Sequence, residues 1–339
     1  MNPTARKWMF GTLVALLSVG LVVALLSQIK LVDILRLANR LTLPQLVTAF
    51  LLYSGANLFR ALRLGSILGR RGLLSLTAIS AIHSFLNHML PFRSGELSLP
   101  FLLRAFLGRG LSSGALSLVV VRLYDMLSIA ALMMVSLAMV RGELEPRLAG
   151  AIGYALVALA VGLAAIFMAL PAILSVTGKW LPACGAVLGG RGARWGEQLS
   201  GALHEMRKEL ATLTPRQRYV TLPITSLLAQ LCIYGFFYYV MRVMGIDIGF
   251  CKNMLASSGE MITSLLPINM LGSFGTLEAG WAVGYAICGL SKADAIASGF
   301  VVHGLIIASG LIISLAGLAC LFLLRRCQEV SGITGKGED

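Results

Sequence analysis

Charged residues are scarce in this sequence. Asp, Glu, Lys and Arg make up 13% of the chain, whereas 57% of the residues are hydrophobic and the mean hydropathy is +0.84. Soluble domains carry about 25% charged residues, so the composition excludes a soluble globular domain. A membrane span needs about 20 apolar residues. The sequence therefore predicts one integral membrane domain over 1–330, followed by a polar tail over 331–339.

Motifs for catalysis and metal binding are also missing. Neither an HExxH pattern nor a P-loop occurs. The six cysteines show no CxxC spacing and indicate neither disulfides nor a metal site. We interpret His83, His88 and His303 as packing or cavity-lining residues. We therefore expect no cofactor, no metal and no catalytic residue, and we interpret the net charge of +13 as membrane topology rather than nucleic-acid binding.

Long apolar runs predict an all-α, polytopic membrane helical bundle. The expected full spans are 8–28, 43–62, 112–140, 149–173, 217–243 and 294–324. We expect the first of them to be a retained anchor rather than a cleaved signal. Two further apolar regions, 74–107 and 252–290, are interrupted by Pro, Gly and charge, which predicts two broken or re-entrant helical hairpins. The total is eight or more membrane segments.

The distribution of Lys and Arg predicts that both termini are cytoplasmic, in a bacterial plasma or inner membrane. On this topology the first hairpin enters from the inside and the second from the outside, although charge leaves the number of crossings open. An apolar stripe predicts an amphipathic cytoplasmic helix at 195–213 on the lipid surface, and 31–41 resembles it on the other face. Both are expected to be connectors rather than partner-binding elements.

The first broken region carries charge at bilayer depth, where an ionisable group is a functional candidate. Pro91 and Gly95 are expected to break the helix and open a cavity for Arg93 and Glu96. The guanidinium of Arg93 offers donors suited to phosphate, and Glu96 could pair with it or take a cationic headgroup. A purely structural ion pair is the alternative.

The second broken region contains Gly272, Ser273, Gly275, Thr276 and Glu278 after Pro267. A helix that begins near Thr276 would present free N–H groups, which can bind a phosphate without a basic side chain. A glycine-rich membrane turn without a ligand is the alternative. Both regions share the order of half-helix, Leu-Pro, polar break and Glu, which is suggestive of an inverted repeat with a site at the midplane.

Arg122 and Asp125 lie three residues apart on one long span, hence on one helix face. We expect them to form a structural pair that locks helices together. A role in the cavity is the alternative.

These motifs resemble the lysylphosphatidylglycerol synthase transmembrane, or flippase-like, family over about residues 8–325. The family's first motif resembles Asn87, Pro91, Arg93, Gly95, Glu96 and Arg104, and its Arg-Leu-x-Asp motif resembles Arg122, Leu123 and Asp125. Its late motif resembles Pro267, Gly272, Gly275 and Glu278. The chain departs from the family in a looser run from Pro267 to Gly275, and in His303 where an arginine is common.

The resemblance implies a lipid transporter that moves a phosphate-bearing lipid, such as an aminoacyl-phospholipid, a polyprenyl-phosphate or a glycolipid, between leaflets. Only Arg325–Asp339 follow the last predicted span, so aminoacyl transfer by a soluble domain is not expected. The expected partners are membrane lipids and enzymes of lipid or glycan biosynthesis. The alternatives are a membrane enzyme that transfers a headgroup, with Glu96 or Asp125 as general base, and a noncatalytic subunit of a biosynthetic complex.

Overall fold

Helices account for nearly all of the described chain. The computed structural model describes residues 20, 22–28, 30–69, 72–187, 189–264 and 271–330, and no strand occurs within these ranges. In chain order the α-helices are α1 (Leu31–Ala38), α2 (Leu43–Leu68), α3 (Leu73–Met89), α4 (Ser98–Leu107), α5 (Leu111–Val140), α6 (Pro146–Val187), α7 (Gly190–Thr212), α8 (Leu222–Val243), α9 (Phe250–Ser264), α10 (Thr276–Ile287) and α11 (Lys292–Val330).

Four helical segments are long and apolar enough to cross a bilayer: Leu111–Glu143, Pro146–Val187, Gln217–Val243 and Lys292–Cys327. They contain the predicted spans 112–140, 149–173, 217–243 and 294–324. Helix α2 has 26 residues, about 39 Å in length, which exceeds the about 30 Å of the hydrocarbon core. The predicted span 8–28 lies mostly outside the described residues. The chain is thus a polytopic helical membrane protein.

The two interrupted regions form pairs of short helices, as predicted. Region 74–107 consists of α3, a 3-10 segment at Pro91–Leu97, and α4. The described part of region 252–290 contains α9, a 3-10 turn at Leu271–Ser273, and α10. The four helices have 17, 10, 15 and 12 residues, all fewer than the about 20 that one crossing requires. We call these regions the first and the second hairpin.

Each hairpin breaks at two consecutive residues in the left-handed backbone region. In the first hairpin Pro91 follows an extended Leu90, and Phe92 and Arg93 have φ of 54° and 55°. In the second, Gly272 and Ser273 have φ of 67° and 55°. A non-glycine residue in this region costs about 1–2 kcal/mol, so tertiary contacts must hold the breaks in place.

Glycine lets the helices of each hairpin pack closely. Gly95 lies against the backbone of Leu86 in α3, where no Cβ would fit. In the second hairpin, Gly280 and Gly284 of α10 face the backbone of Gly259 and Ala256 in α9. This spacing of small residues is the usual means by which membrane helices approach each other.

Helices α6 and α7 extend the bundle at one end. Helix α6 has 42 residues, about 63 Å, so it continues well past the predicted end at 173. Helix α7 begins earlier than predicted, and Met206 and Leu210 of its apolar stripe are buried against α5 and α6. In contrast, Leu199 is 48% exposed. Contact with α5 and α6 therefore explains the burial of Met206 and Leu210 in this stripe. The position of α7 on the lipid surface stays a prediction.

Candidate functional site

The tips of the two hairpins lie against each other. Ser273 Oγ in the second break donates a hydrogen bond of 3.1 Å to the backbone oxygen of His88, at the end of α3. The side chain of Met89 adjoins Gly272 in the same place. The end of the first half-helix thus rests on the break of the second hairpin.

A cavity of about 150 Å³ opens beside this contact. It is roughly ten times the minimum of about 10–15 Å³ that one water requires, so it can hold a small polar group with its hydration. Its lining includes the cations Arg60, Arg63, Arg93 and Arg122, and the acids Asp125 and Glu260. Positive charge is therefore in excess in a polar cavity inside an apolar bundle.

One arginine of the cavity is paired with an acid across the bundle. Arg63 forms a two-pronged pair with Asp125, with Nη1–Oδ1 of 2.6 Å and Nη2–Oδ2 of 3.1 Å. Ser226 accepts a further bond from Arg63 at 2.8 Å, and Gln230 donates to Asp125 at 3.2 Å. These contacts join α2, α5 and α8. The predicted pairing of Asp125 with Arg122 is wrong, because the carboxylate faces α2 rather than its neighbour along α5.

Glu96 lies between two arginines. Its Oε1 is 2.7 Å from Nη2 of Arg93, a contact that the sequence offered as one possibility, and 3.2 Å from Nη2 of Arg122. Although Arg122 is this close, its Nε and Nη2 have no hydrogen-bond partner among the described residues. Arg60 makes only a long bond of 3.3 Å to Ser84. The donors of Arg122 are thus available to an anion in the cavity.

Glu278 is not a cavity residue, contrary to expectation. It is 1% exposed, its Oε2 accepts a bond of 2.7 Å from the N–H of Gly275, and its Oε1 lies 2.6 Å from Nδ1 of His303. Helix α10 does begin at Thr276 as predicted. Because Glu278 bonds the N–H of Gly275, an incoming anion finds this donor already occupied. Thr276 donates to the backbone oxygen of Ser273 at 3.1 Å.

The remaining predicted residues divide into four groups. Asn87 lines the cavity, and its Oδ1 has no hydrogen-bond partner in the described part of the chain. Arg104 is exposed on α4 and is not part of the cavity lining. Pro267 lies outside the described residues. The residues that shape the backbone of the breaks rather than offer side chains are Pro91, Gly95, Gly272 and Gly275.

Sequence reasoning missed Arg60, Arg63 and Glu260 as cavity residues. Arg63 lies beyond the predicted end of the span at 62, whereas α2 continues to Leu68. Glu260 is 7% exposed and lines the cavity from α9. An ionisable residue inside an apolar helix was the available signal in each case. The histidines His83 and His88 do line the cavity.

A serine pattern at Gly110–Gly114 reads GxSxG. In hydrolases this motif acts at a strand-to-helix turn. Here it lies at the start of α5, and the described ranges contain no strand. Gly114 instead packs against the backbone of Pro100 in α4. Gly114 of this pattern therefore lets α4 and α5 pack closely.

The fold and the cavity define a class: a polytopic helical membrane protein with a basic internal cavity beside the meeting point of two broken hairpins. The family model described as the lysylphosphatidylglycerol synthase TM region matches residues 8–324, and the chain belongs to this family. The match includes both breaks and all elements around the cavity. Membership relates the chain to lipid synthesis or flipping in a membrane. No significant match exists among curated proteins or among solved structures.

Proposed function

We propose that the protein is a flippase-like transporter that moves a phosphate-bearing lipid between leaflets. The observation that carries the proposal is the basic cavity at the hairpin tips, where Arg122 keeps two unbonded donor atoms beside Arg93. An arginine fork in a water-poor site is well suited to a phosphate. The lipid tails would remain in the bilayer while the headgroup occupies the cavity.

Movement of one hairpin against the other would change the leaflet to which the cavity opens. The contacts between the tips include the bond from Ser273 to His88. A headgroup can shift such an equilibrium only if it binds the two states differently. Glu96 supplies this difference in headgroup affinity between the two states. A bound phosphate competes with the Glu96 carboxylate for Arg93 and Arg122.

The proposal places the protein in a bacterial plasma or inner membrane with both termini in the cytoplasm. Its ligands are membrane lipids, and enzymes of lipid or glycan biosynthesis are its proposed partners. The concentration of Lys and Arg on one set of connecting segments supports this orientation.

The test is lipid translocation in reconstituted vesicles. We expect Arg122→Ala and Arg93→Ala each to slow the movement of a fluorescent phosphatidylglycerol by about tenfold or more, since a hydrogen bond to a charged group contributes about 1.5–3 kcal/mol. Arg104→Ala is the matched control, because this arginine is exposed and lies outside the cavity lining. Equal effects of all three variants would contradict the proposal. A new lipid species in the vesicles would favour headgroup transfer instead.

A further inference from the structure

A second, smaller void lies behind the cavity. It measures about 10 Å³, close to the space that one water needs. Its lining includes Glu260, Glu278 and His303, from α9, α10 and α11. Glu260 also lines the main cavity and therefore connects the two spaces.

Glu278 connects His303 to the start of α10. Its Oε2 accepts from Gly275 N–H, and its Oε1 lies 2.6 Å from Nδ1 of His303; when the carboxylate is ionised it can only accept, and Nδ1 then carries the proton. A neutral imidazole with its proton on Nδ1 has a lone pair on Nε2. This Nε2 has no hydrogen-bond partner among the described residues, and His303 is 3% exposed. A proton on Nε2 would convert His303 to an imidazolium. The neighbouring Glu278 carboxylate would balance its positive charge.

Glu260 lines both the main cavity and the small void beside Glu278 and His303. It is 7% exposed, and no hydrogen bond or ion pair of its carboxylate occurs in the part of the chain that the structure describes. A buried carboxylate without a partner is costly when ionised, and a proton removes that cost. One water in the small void can pass a proton between Glu260 and Nε2 of His303.

We propose that Glu260, His303 and Glu278 form a proton relay at the inner end of the cavity, and that binding of an anionic headgroup is accompanied by uptake of one proton. The proton comes from water in the cavity and binds Glu260, which shares it through the small void with Nε2 of His303. It makes the cavity more positive by one charge, which favours the anion. By reciprocity, the bound anion favours the proton. The coupling to lipid movement rests on the proposed function, whereas the relay itself does not.

Other ionisable groups surround the relay. These are Tyr53 and Arg60 on α2, His88 on α3, Arg122 and Asp125 on α5, Tyr234 on α8 and Tyr285 on α10. Tyrosine normally stays neutral and arginine charged at physiological pH, and Asp125 is held by Arg63. His88 is a histidine that interacts electrostatically with His303, so it requires a control.

The relay is tested by pH-difference infrared spectroscopy of the full-length protein in nanodiscs. Between about pH 8 and pH 5, where a histidine changes charge, we expect a protonated carboxyl band in the wild type. The band should be lost in Glu260→Gln, and its midpoint should shift in His303→Gln but not in His88→Gln. Glu260→Asp, which keeps an acid, should retain a shifted band and serves if the glutamine variant does not fold. A band that persists in Glu260→Gln would overturn the relay. The same conclusion would follow if His303→Gln left the midpoint of the band unchanged.

Coupling is tested in vesicles of phosphatidylglycerol and phosphatidylethanolamine that contain fluorescent phosphatidylglycerol. We expect an imposed pH gradient to change the wild-type translocation rate about fivefold or more, a typical size for coupled sites, and to leave Glu260→Gln unaffected. Wild-type translocation that is insensitive to the gradient would refute the coupling. Absence of translocation in the wild type counts against the proposed function, and the infrared bands alone then decide the relay.

Discussion

At the scale of single residues, the partners of the buried charges decide what each charge can do. Arg63 is 1% exposed and has its charge matched by Asp125. Arg122 has a carboxylate nearby but keeps two donor atoms without hydrogen bonds within the described structure. We therefore assign the two arginines different roles: Arg63 stabilises the fold, and Arg122 binds the ligand of the proposed function.

Removal of one member of the Arg63–Asp125 pair should destabilise the protein strongly. We expect Arg63→Met to lower the free energy of unfolding by about 3–5 kcal/mol, because it leaves Asp125 charged and buried with Gln230 as its only remaining polar partner of this network. The double variant Arg63→Met, Asp125→Leu should recover much of the loss, since no unpaired charge remains. Thermal unfolding in detergent measures both. Equal losses in the single and double variants would show that the pair is not the cause.

At the scale of secondary structure, small residues set the distance between the half-helices. Gly284 in α10 faces the backbone of Ala256 in α9, and a Cβ there would collide with a carbonyl oxygen. Gly235 in α8 lies at the centre of a helix too, but has open space around it. Substitution of each glycine by alanine therefore compares a closely packed helix position with an open one.

We expect Gly284→Ala and Gly235→Ala to change stability in opposite directions. Alanine at 284 must push α10 away from α9 and should lower the unfolding midpoint. Alanine at 235 meets no atom and should raise it slightly, because glycine in a helix interior costs up to about 1 kcal/mol relative to alanine. A thermal melt followed by circular dichroism distinguishes them, and a shift of the same sign in both variants would argue against close packing as the reason for Gly284.

The amphipathic helix α7 offers a second test at this scale. Leu210 is 2% exposed against α5 and α6, whereas Leu199 of the same stripe is 48% exposed. Leu210→Ala should destabilise the protein by about 2–5 kcal/mol, and Leu199→Ala should have little effect. Limited proteolysis of α7 provides the measurement. If the two variants were cleaved equally fast, the helix would not be docked through its second half.

At the scale of the whole molecule, the two hairpins form one unit through their tips. The bond from Ser273 to His88 and the contact of Met89 with Gly272 bring the breaks together. The left-handed residues of both breaks lie in this region, so the strained backbone surrounds the cavity. Backbone strain of this kind is typical of functional sites. An inverted repeat that relates the hairpins stays a prediction.

A short covalent link between the tips should stop transport. In a background without the native cysteines, we expect Met89→Cys and Ser273→Cys to be joined by a short bismaleimide, which fixes one hairpin against the other. Translocation in vesicles should fall to the background rate, while each single-cysteine protein treated in the same way should retain its activity. Undiminished transport by the linked protein would mean that the tips do not move during the cycle.

The sequence alone determined the helical membrane class and the two interrupted regions, and it offered the Arg93–Glu96 pair as one possibility, because hydropathy, Pro, Gly and spacing along one segment are local properties. Only the tertiary structure decided that Asp125 pairs with Arg63 and that Glu278 bonds His303 rather than facing the cavity. These partners lie on different helices, and helix packing determines which side chains meet. The opening interpretation of His303 as a packing residue missed its carboxylate partner for the same physical reason.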